Sequence, residues 1–476
     1  MPNLLKQHPG ASLRWFTAAV FCILLLPMLF QQGLFMDGLM YGTIAHNLAN
    51  GIGTFWNPSF STSFMTSFHE HPPLVFGLHS LLFRLMGDGF YIERIYSLLC
   101  ALVTAWLIVK LWRKAAPLEL RELYALPVLF WIIVPKCFWS FQNNMLENTM
   151  GAFALASVLM IWNSLDASGL RRHLYMLLAG VMMLLGFLSK GFPALFPLAL
   201  YVCYGIVFRQ KFPLGRMMGH SMLLLVYTLL PAVLLFGLVP AARDNISGYL
   251  VQQVVGSLAG EKVVVERWYI LTVLAQELLG MMLITAVLRW VVGRRWRTRP
   301  EKKPTDRTAR FWLLVAASAS LPIMVSPKQL SFYMVPSVPF FAMAFAFLAA
   351  PVVKVLLDGM SARATKIWTG FSLALLATSL TLCIIQAGTF ARSESMIRDV
   401  DAIAEVVKPR ATVILAKSLH EEWSLMSYFQ RRHYISLNMS GESLPYMLTR
   451  SGEMAPDGYE RVWLSDQFEL WEEARL

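Results

Sequence analysis

From Trp15 to Ile385 the chain alternates apolar runs with short clusters of Lys and Arg. Most of the runs have the length that crosses a bilayer, about 20 residues at a helical rise of about 1.5 Å each. In hydrocarbon every backbone N–H and C=O must be satisfied within the segment, so runs of this kind fold as helices. Of 476 residues 57% are hydrophobic and only 15% charged, which sets the chain apart from soluble domains, where about 25% are charged. The net charge of +12 does not point to a nucleic acid, because the basic residues sit between apolar runs rather than along one face or in a tail.

The basic clusters orient the spans. Residues 15–35 read as a retained first span with its amino end in the cytoplasm, since Phe35-Met36-Asp37 offers no small-residue cleavage site. Residues 72–86 are short for a span and are interrupted by His79 and Arg84, so they are expected to lie along the outer surface. With residues 91–111 running inward, Lys110, Arg113, Lys114 and Arg121 fall in the cytoplasm, as the positive-inside bias requires. Further spans are expected at 123–139, 145–165, 174–188, 192–208, 218–239, 268–292, 311–325, 331–353 and 367–385. The strongly basic stretch 293–310 then lies inside.

The expected fold is therefore an all-α polytopic membrane protein of about eleven transmembrane helices, with juxtamembrane helices in its first outer loop. From Arg392 the composition changes. Residues 411–418, 433–438 and 459–466 read as short strands and 419–432 as a helix, which suggests a small C-terminal α/β domain. The expected organisation is a transmembrane domain over 1–391, with outer loops at 36–90 and 240–267, and a soluble domain over 392–476. An odd number of spans puts that domain on the outer face.

The first outer loop concentrates chemistry in a nearly charge-free setting: Asp37, His69, Glu70 and His71. A carboxylate beside apolar surface has a raised pKa and suits general-base work, so Asp37 is a candidate base; the plain alternative is a solvated carboxylate or the cap of a helix over 38–49. Glu147 opens a span within the polar cluster QNNMLEN, where a carboxylate must be paired or face water. Lys190, in LSKGFP, and Lys328, in SPKQLSFY, fall at outer ends of spans against the positive-inside bias, and would suit a phosphate arriving on a lipid; snorkelling is the plain alternative. The five cysteines all lie in apolar runs without ligand spacing, and there is no Walker loop, GxGxxG, HExxH or GxSxG.

An Asp after the first span, His71-Pro72-Pro73-Leu74 before the second, Glu147 at the start of the fourth, Ser189-Lys190-Gly191, and Ser326-Pro327-Lys328 before an aromatic and proline-rich span occur in that order. In this the chain resembles the protein mannosyltransferase and lipid A aminoarabinose transferase group, membrane glycosyltransferases of the C-type fold, over about residues 14–350. The resemblance implies transfer of one sugar from a polyprenyl-phosphate carrier to a glycolipid, glycan or protein acceptor on the outer face, with inversion. It makes Asp37 the base and Glu147 a second acidic group near the sugar, and it makes Lys190 and Lys328 the phosphate-side cations. His71 stands where the mannosyltransferases also carry His, and Tyr41 joins the substrate-binding set.

Two departures accompany it. Gly38 follows Asp37 where many relatives have a second acid, so a two-carboxylate metal site is not evident and a divalent metal stays open. Gly256 stands where a carrier-binding Arg is expected, with Lys262 or Arg267 as substitutes in a loop, 249–269, that resembles the family's closing loop. The implied setting is a bacterial inner (plasma) membrane with the site facing the periplasm. A transporter or flippase of lipid-linked intermediates, or an inactive scaffold, is the competing reading; a transporter would place charge near mid-membrane, often in repeated halves, and neither is seen here.

Overall fold

The computed structural model describes residues 10–210, 212–256, 266–296, 302–326, 328–440 and 444–474. The chain is mostly helical, with one small sheet at the carboxyl end. The first helix, α1 (Gly10–Leu25), ends before Pro27, and residues 26–35 continue as turn and extended chain. The expected straight run of 15–35 is thus shorter as helix; beyond it, Gln32 pairs with Phe390. Next come α2 (Met36–Ala49), a two-stranded hairpin of β1 (Gly53–Thr54) and β2 (Asn57–Pro58), and α3 (Leu74–Met86). At 13 residues α3 spans about 20 Å, less than the hydrocarbon core of about 30 Å.

The bundle is built from α4 (Ile92–Ala115), α5 (Ala125–Ile132), α6 (Pro135–Gln142), α7 (Leu146–Leu165), α8 (Gly169–Lys190), α9 (Leu200–Val207), α10 (Leu214–Leu238), α11 (Pro240–Tyr249), α12 (Tyr269–Trp296), α13 (Lys302–Ser320), α14 (Val338–Asp358) and α15 (Ala362–Gln386). Among the described residues seven helical segments are long and apolar enough to cross a membrane, and an eighth if α5 and α6 are one broken span. The remaining expected spans are α1, α7 and 192–207, and the last of these starts as a 3-10 turn carrying Pro193 and Pro197.

The run expected as one straight span over 123–139 is bent by 78° between α5 and α6. Pro135 opens α6 and cannot donate to the turn before it, and Val134 is accordingly extended. Composition sorts the rest. On α14, Ala342, Ala344, Ala346 and Ala349 are fully buried and let neighbouring helices approach, with Phe340 and Phe347 filling the gaps. On α10 and α15 large apolar side chains such as Met222, Val233, Ile367 and Ile384 stay exposed along the helix, which fits contact with lipid tails.

At the carboxyl end α16 (Glu394–Val406), β3 (Thr412–Leu415), α17 (Trp423–His433), β4 (Ser436–Asn438), β5 (Tyr446–Arg450), β6 (Tyr459–Leu464) and β7 (Phe468–Glu473) form the expected α/β unit. The sheet order is β4-β3-β5-β7-β6, parallel across β4, β3 and β5 and antiparallel beyond. Alternation along β3 and β5 buries Val413, Leu415 and Leu448 against Ile397 and Val400 of α16 and Phe429 of α17.

This core does not stop at the sheet. Ile44, Phe68, Phe76 and Phe83 of the first loop belong to the same cluster. Polar contacts fix the joint. The Arg431 guanidinium meets Glu93 at 2.7 Å, both about 3% exposed or less, and also donates to the Asp88 and Gly89 carbonyls. Beside it His46, stacked on Tyr434, is held to about 4 by burial and by the Arg431 charge, and so is neutral at physiological pH.

Candidate active site

The site is assembled from the ends of several helices. Asp37 sits in the first turn of α2, one residue inside the helix whose cap is Phe35, so the expected helix over 38–49 begins two residues earlier and Asp37 is not its cap. The α6–α7 turn holds that helix end. Asn143 accepts from the Phe35 N–H at 3.0 Å, and Asn144 donates to the Gly38 carbonyl at 3.0 Å. A Cβ on Gly38 would lie 1.7 Å from the Asn143 carbonyl, so this close approach requires glycine. The departure from an acidic pair therefore has a local packing reason.

A cavity of about 370 Å³ opens beside this turn, lined by His71, Glu147, Lys190 and Lys328 with Tyr249 and Tyr333. Glu147, at the start of α7, and Lys190, at the end of α8, form a buried ion pair of 2.5 Å. The Lys190 ammonium also lies 5.5 and 5.0 Å from the ring centres of Phe332 and Tyr333, which orients it by cation–π attraction. Lys328 lines the same cavity, and its backbone N–H donates to the Ser326 hydroxyl.

Asp37 is half-buried at the edge of this group of charges. Burial pushes its carboxyl above the usual range, Lys190 and Lys328 pull it back, and Glu70 pushes it up again. Asp37 is thus within electrostatic reach of both lysines. The Tyr41 hydroxyl lies 3.2 Å from His71 Nε2 and buttresses that ring, while Tyr41 itself is not among the cavity's lining residues. Arg267 is exposed and is not among the lining residues; its carbonyl accepts from Gln329, next to Lys328. Lys262 lies outside the described residues. Among the described residues no group of three or more His, Cys, Asp or Glu could hold a metal ion.

Tyr249 and Gln253 come from the start of the loop expected to close over the carrier, and Tyr333, which follows the SPKQLSF run, joins the lining without having been singled out as a residue. Tyr249 ends α11 and projects its hydroxyl over Gly191, where a Cβ would sit 1.9 Å away. Gly191 also has φ +93°, a conformation that L-residues rarely adopt. We expect Gly191→Ala to cost about 1–3 kcal/mol from the backbone alone, with further loss as α11 is pushed off the lysine turn. The check is the thermal midpoint of the purified protein against Gly370→Ala, which adds its methyl in open space on α15 and should leave the midpoint unchanged or slightly higher.

Residues 70–236 match the family described as dolichyl-phosphate-mannose-protein mannosyltransferase, a segment that holds His71, Glu147 and Lys190 but neither Asp37 nor Lys328. No curated protein sequence matches the chain significantly. Among solved structures, ArnT from Cupriavidus metallidurans bound to undecaprenyl phosphate shares the fold at a TM-score of 0.65 and 15% identity, covering 96% of this chain and 97% of that one. Its apo form gives 0.63 at 14% identity, with 96% of each chain covered. The apo oligosaccharyltransferase of Archaeoglobus fulgidus gives 0.55 at 10% identity, covering 94% of this chain and 70% of that chain. With helices suited to crossing a bilayer and an end-to-end match to this architecture, the chain is a membrane protein of the C-type glycosyltransferase fold that resembles the protein mannosyltransferase and lipid A aminoarabinose transferase group.

Proposed function

We propose that the protein transfers a single sugar from a polyprenyl-phosphate carrier to a hydroxyl of a glycolipid, glycan or protein acceptor at the end of the bundle that carries the first loop, on the outer face of a bacterial inner membrane, with inversion at the anomeric carbon. The observation that carries this reading is the convergence of Glu147, Lys190 and Lys328 on one cavity whose remaining walls are largely aromatic and aliphatic, with Asp37 outside its lining but within electrostatic reach of both lysines. The phosphate of the carrier would lie between Lys190 and Lys328 while its tail leaves along the apolar wall of Phe196, Pro322 and Ile323. The undecaprenyl phosphate bound in the ArnT structure supports a carrier of this class.

In an inverting displacement the acceptor attacks the anomeric carbon as the lipid phosphate leaves, and the acceptor proton passes to a base. Asp37 is that base. Lys190 and Lys328 offset the charge that develops on the leaving phosphate, and they do so without reorganising, because Lys190 is already held by Glu147 and two aromatic faces. Glu147 holds Lys190 in place through their ion pair and faces the sugar. His71, steadied by Tyr41, supplies a polar contact to the donor.

The base must be ionised to act. Burial raises its pKa, so the acid limb of the rate profile should lie above the ordinary carboxylate value of 3.8, with the rate rising as pH rises through it. Lys328 pulls that pKa down, so Lys328→Gln should move the limb to higher pH, apart from its effect on the maximal rate. A pH–rate series on both proteins reads the displacement; a limb that stays in place argues against Asp37 as the titrating base.

The reading itself is tested by incubating membranes that contain the protein with a panel of radiolabelled polyprenyl-phosphate sugars and mixed envelope acceptors. Label should move from one donor into an acceptor. No transfer from any donor would favour a transporter of lipid-linked intermediates or a scaffold.

A further inference from the structure

The helix that ends at Lys190 begins at Gly169, and Arg172, near its start, is about 27 Å from Lys190 along the axis, close to the thickness of a bilayer's hydrocarbon core. At that far end is a second, smaller cavity of about 40 Å³, lined by Ser164, Arg172, Tyr201, Phe212, Arg216 and His220 among others. It lies where the carboxyl end of α7, the start of α8, α9 and the start of α10 converge.

Its lining is basic and has a fixed geometry. Arg172 Nε donates to the Ala167 carbonyl at 2.9 Å, which anchors the guanidinium and leaves its terminal nitrogens for another acceptor. His220 Nδ1 lies 2.7 Å from the Arg216 carbonyl, so its Nε2 remains for the cavity side, and its ring rests against Tyr201. The Tyr201 and Ser164 hydroxyls are bonded to each other in the floor. No Asp or Glu lines the cavity, and among the described residues neither Arg172 nor Arg216 has a carboxylate partner. Both arginines also fall near the amino ends of long helices, where the backbone adds positive potential and a cation is poorly placed. What offsets such a set is an anion.

We infer that this cavity binds a phosphate group at the membrane face opposite the active site, with Arg172, Arg216 and His220 as donors. Two sources share that chemistry, the headgroup of an anionic phospholipid and free inorganic phosphate. The site sits at the end of a span among lipid-facing helices, so a phosphodiester reaching in from the bilayer meets it directly.

The test uses the full chain, purified in detergent and offered equal parts of phosphatidylglycerol and phosphatidylcholine, with retained lipid counted by native mass spectrometry. Phosphatidylglycerol should be retained in preference, and Arg172→Gln with Arg216→Gln should weaken it by about fivefold per charge, about thirtyfold together, taking about 1 kcal/mol per basic residue. The single Arg216→Gln, at an exposed side chain with no carboxylate partner among the described residues, keeps the test open if the double variant folds poorly. The corresponding lysine variants should retain most of the binding. Displacement of the bound lipid by inorganic phosphate would identify free phosphate as a competing occupant of the same site; resistance to it would identify the lipid. Equal retention of both lipids, or of phosphatidylglycerol by wild type and variants, would overturn the inference.

Discussion

Asp37→Asn is expected to lower sugar transfer by about 10²–10⁴-fold while the protein folds and accumulates as before, because general-base catalysis contributes about that much and the amide cannot take the acceptor proton. The substitution is nearly isosteric. It removes one negative charge from a position where burial already disfavours charge, so the native fold gains or loses little. The measurement is transfer in membranes, normalised to protein level, from whichever donor the wild type uses. Donor binding should persist, since the proposed phosphate contacts are Lys190 and Lys328; a variant that binds donor normally and transfers at the wild-type rate would remove Asp37 from the chemistry. Asp37→Glu, which keeps the charge and shifts the oxygens by one methylene, should recover only part of the rate.

Arg431→Leu has the largest expected effect on stability. It leaves the Glu93 carboxylate buried without its partner and strips the Asp88 and Gly89 carbonyls of their donor, for a loss of about 3–5 kcal/mol. The thermal midpoint in detergent should fall, and protease should cut the carboxyl-terminal unit more readily. Replacing both partners, Arg431→Leu with Glu93→Leu, should recover most of the loss, because an apolar pair carries no desolvation penalty. Full stability in the single variant would mean that water reaches Glu93 and that the joint is not dry.

The sequence exposed the helical class and the charged residues of the candidate site, for different reasons. Apolar length and basic flanks locate helices whatever their neighbours, so every expected span has helix within it. They do not reveal where a helix bends or stops, which Pro27, Pro135 and the Pro193–Pro197 turn decide locally, and so the run over 123–139 reads as straight when it is bent. Asp37, Glu147, Lys190 and Lys328 stood out as charges in apolar surroundings; Asp37 lies within electrostatic reach of both lysines, and Glu147 is paired with Lys190. Tyr333 carries no such contrast, because a tyrosine beside a membrane is ordinary, and Tyr249 was marked only as the start of the closing loop. The fold brings both to the cavity. In the carboxyl unit the β-rich runs of β3, β4 and β6 were legible, whereas β5 and β7, with Thr449, Arg450 and the acidic end of β7 interrupting the pattern, were not.

The core shared by the first loop and the carboxyl-terminal sheet also sets a timetable. The segment from Leu34 to Tyr96 leaves the ribosome early, and its partners from Ile397 to Leu470 leave last, with roughly 300 residues between them. At about 5–20 residues per second the apolar sides of α2 and α3 wait on the order of 15–60 s for the surface that covers them. The helix that bears Asp37 therefore reaches its final setting only when synthesis ends, and a nascent chain cut short before residue 397 carries the carboxylate without the core that covers its helix.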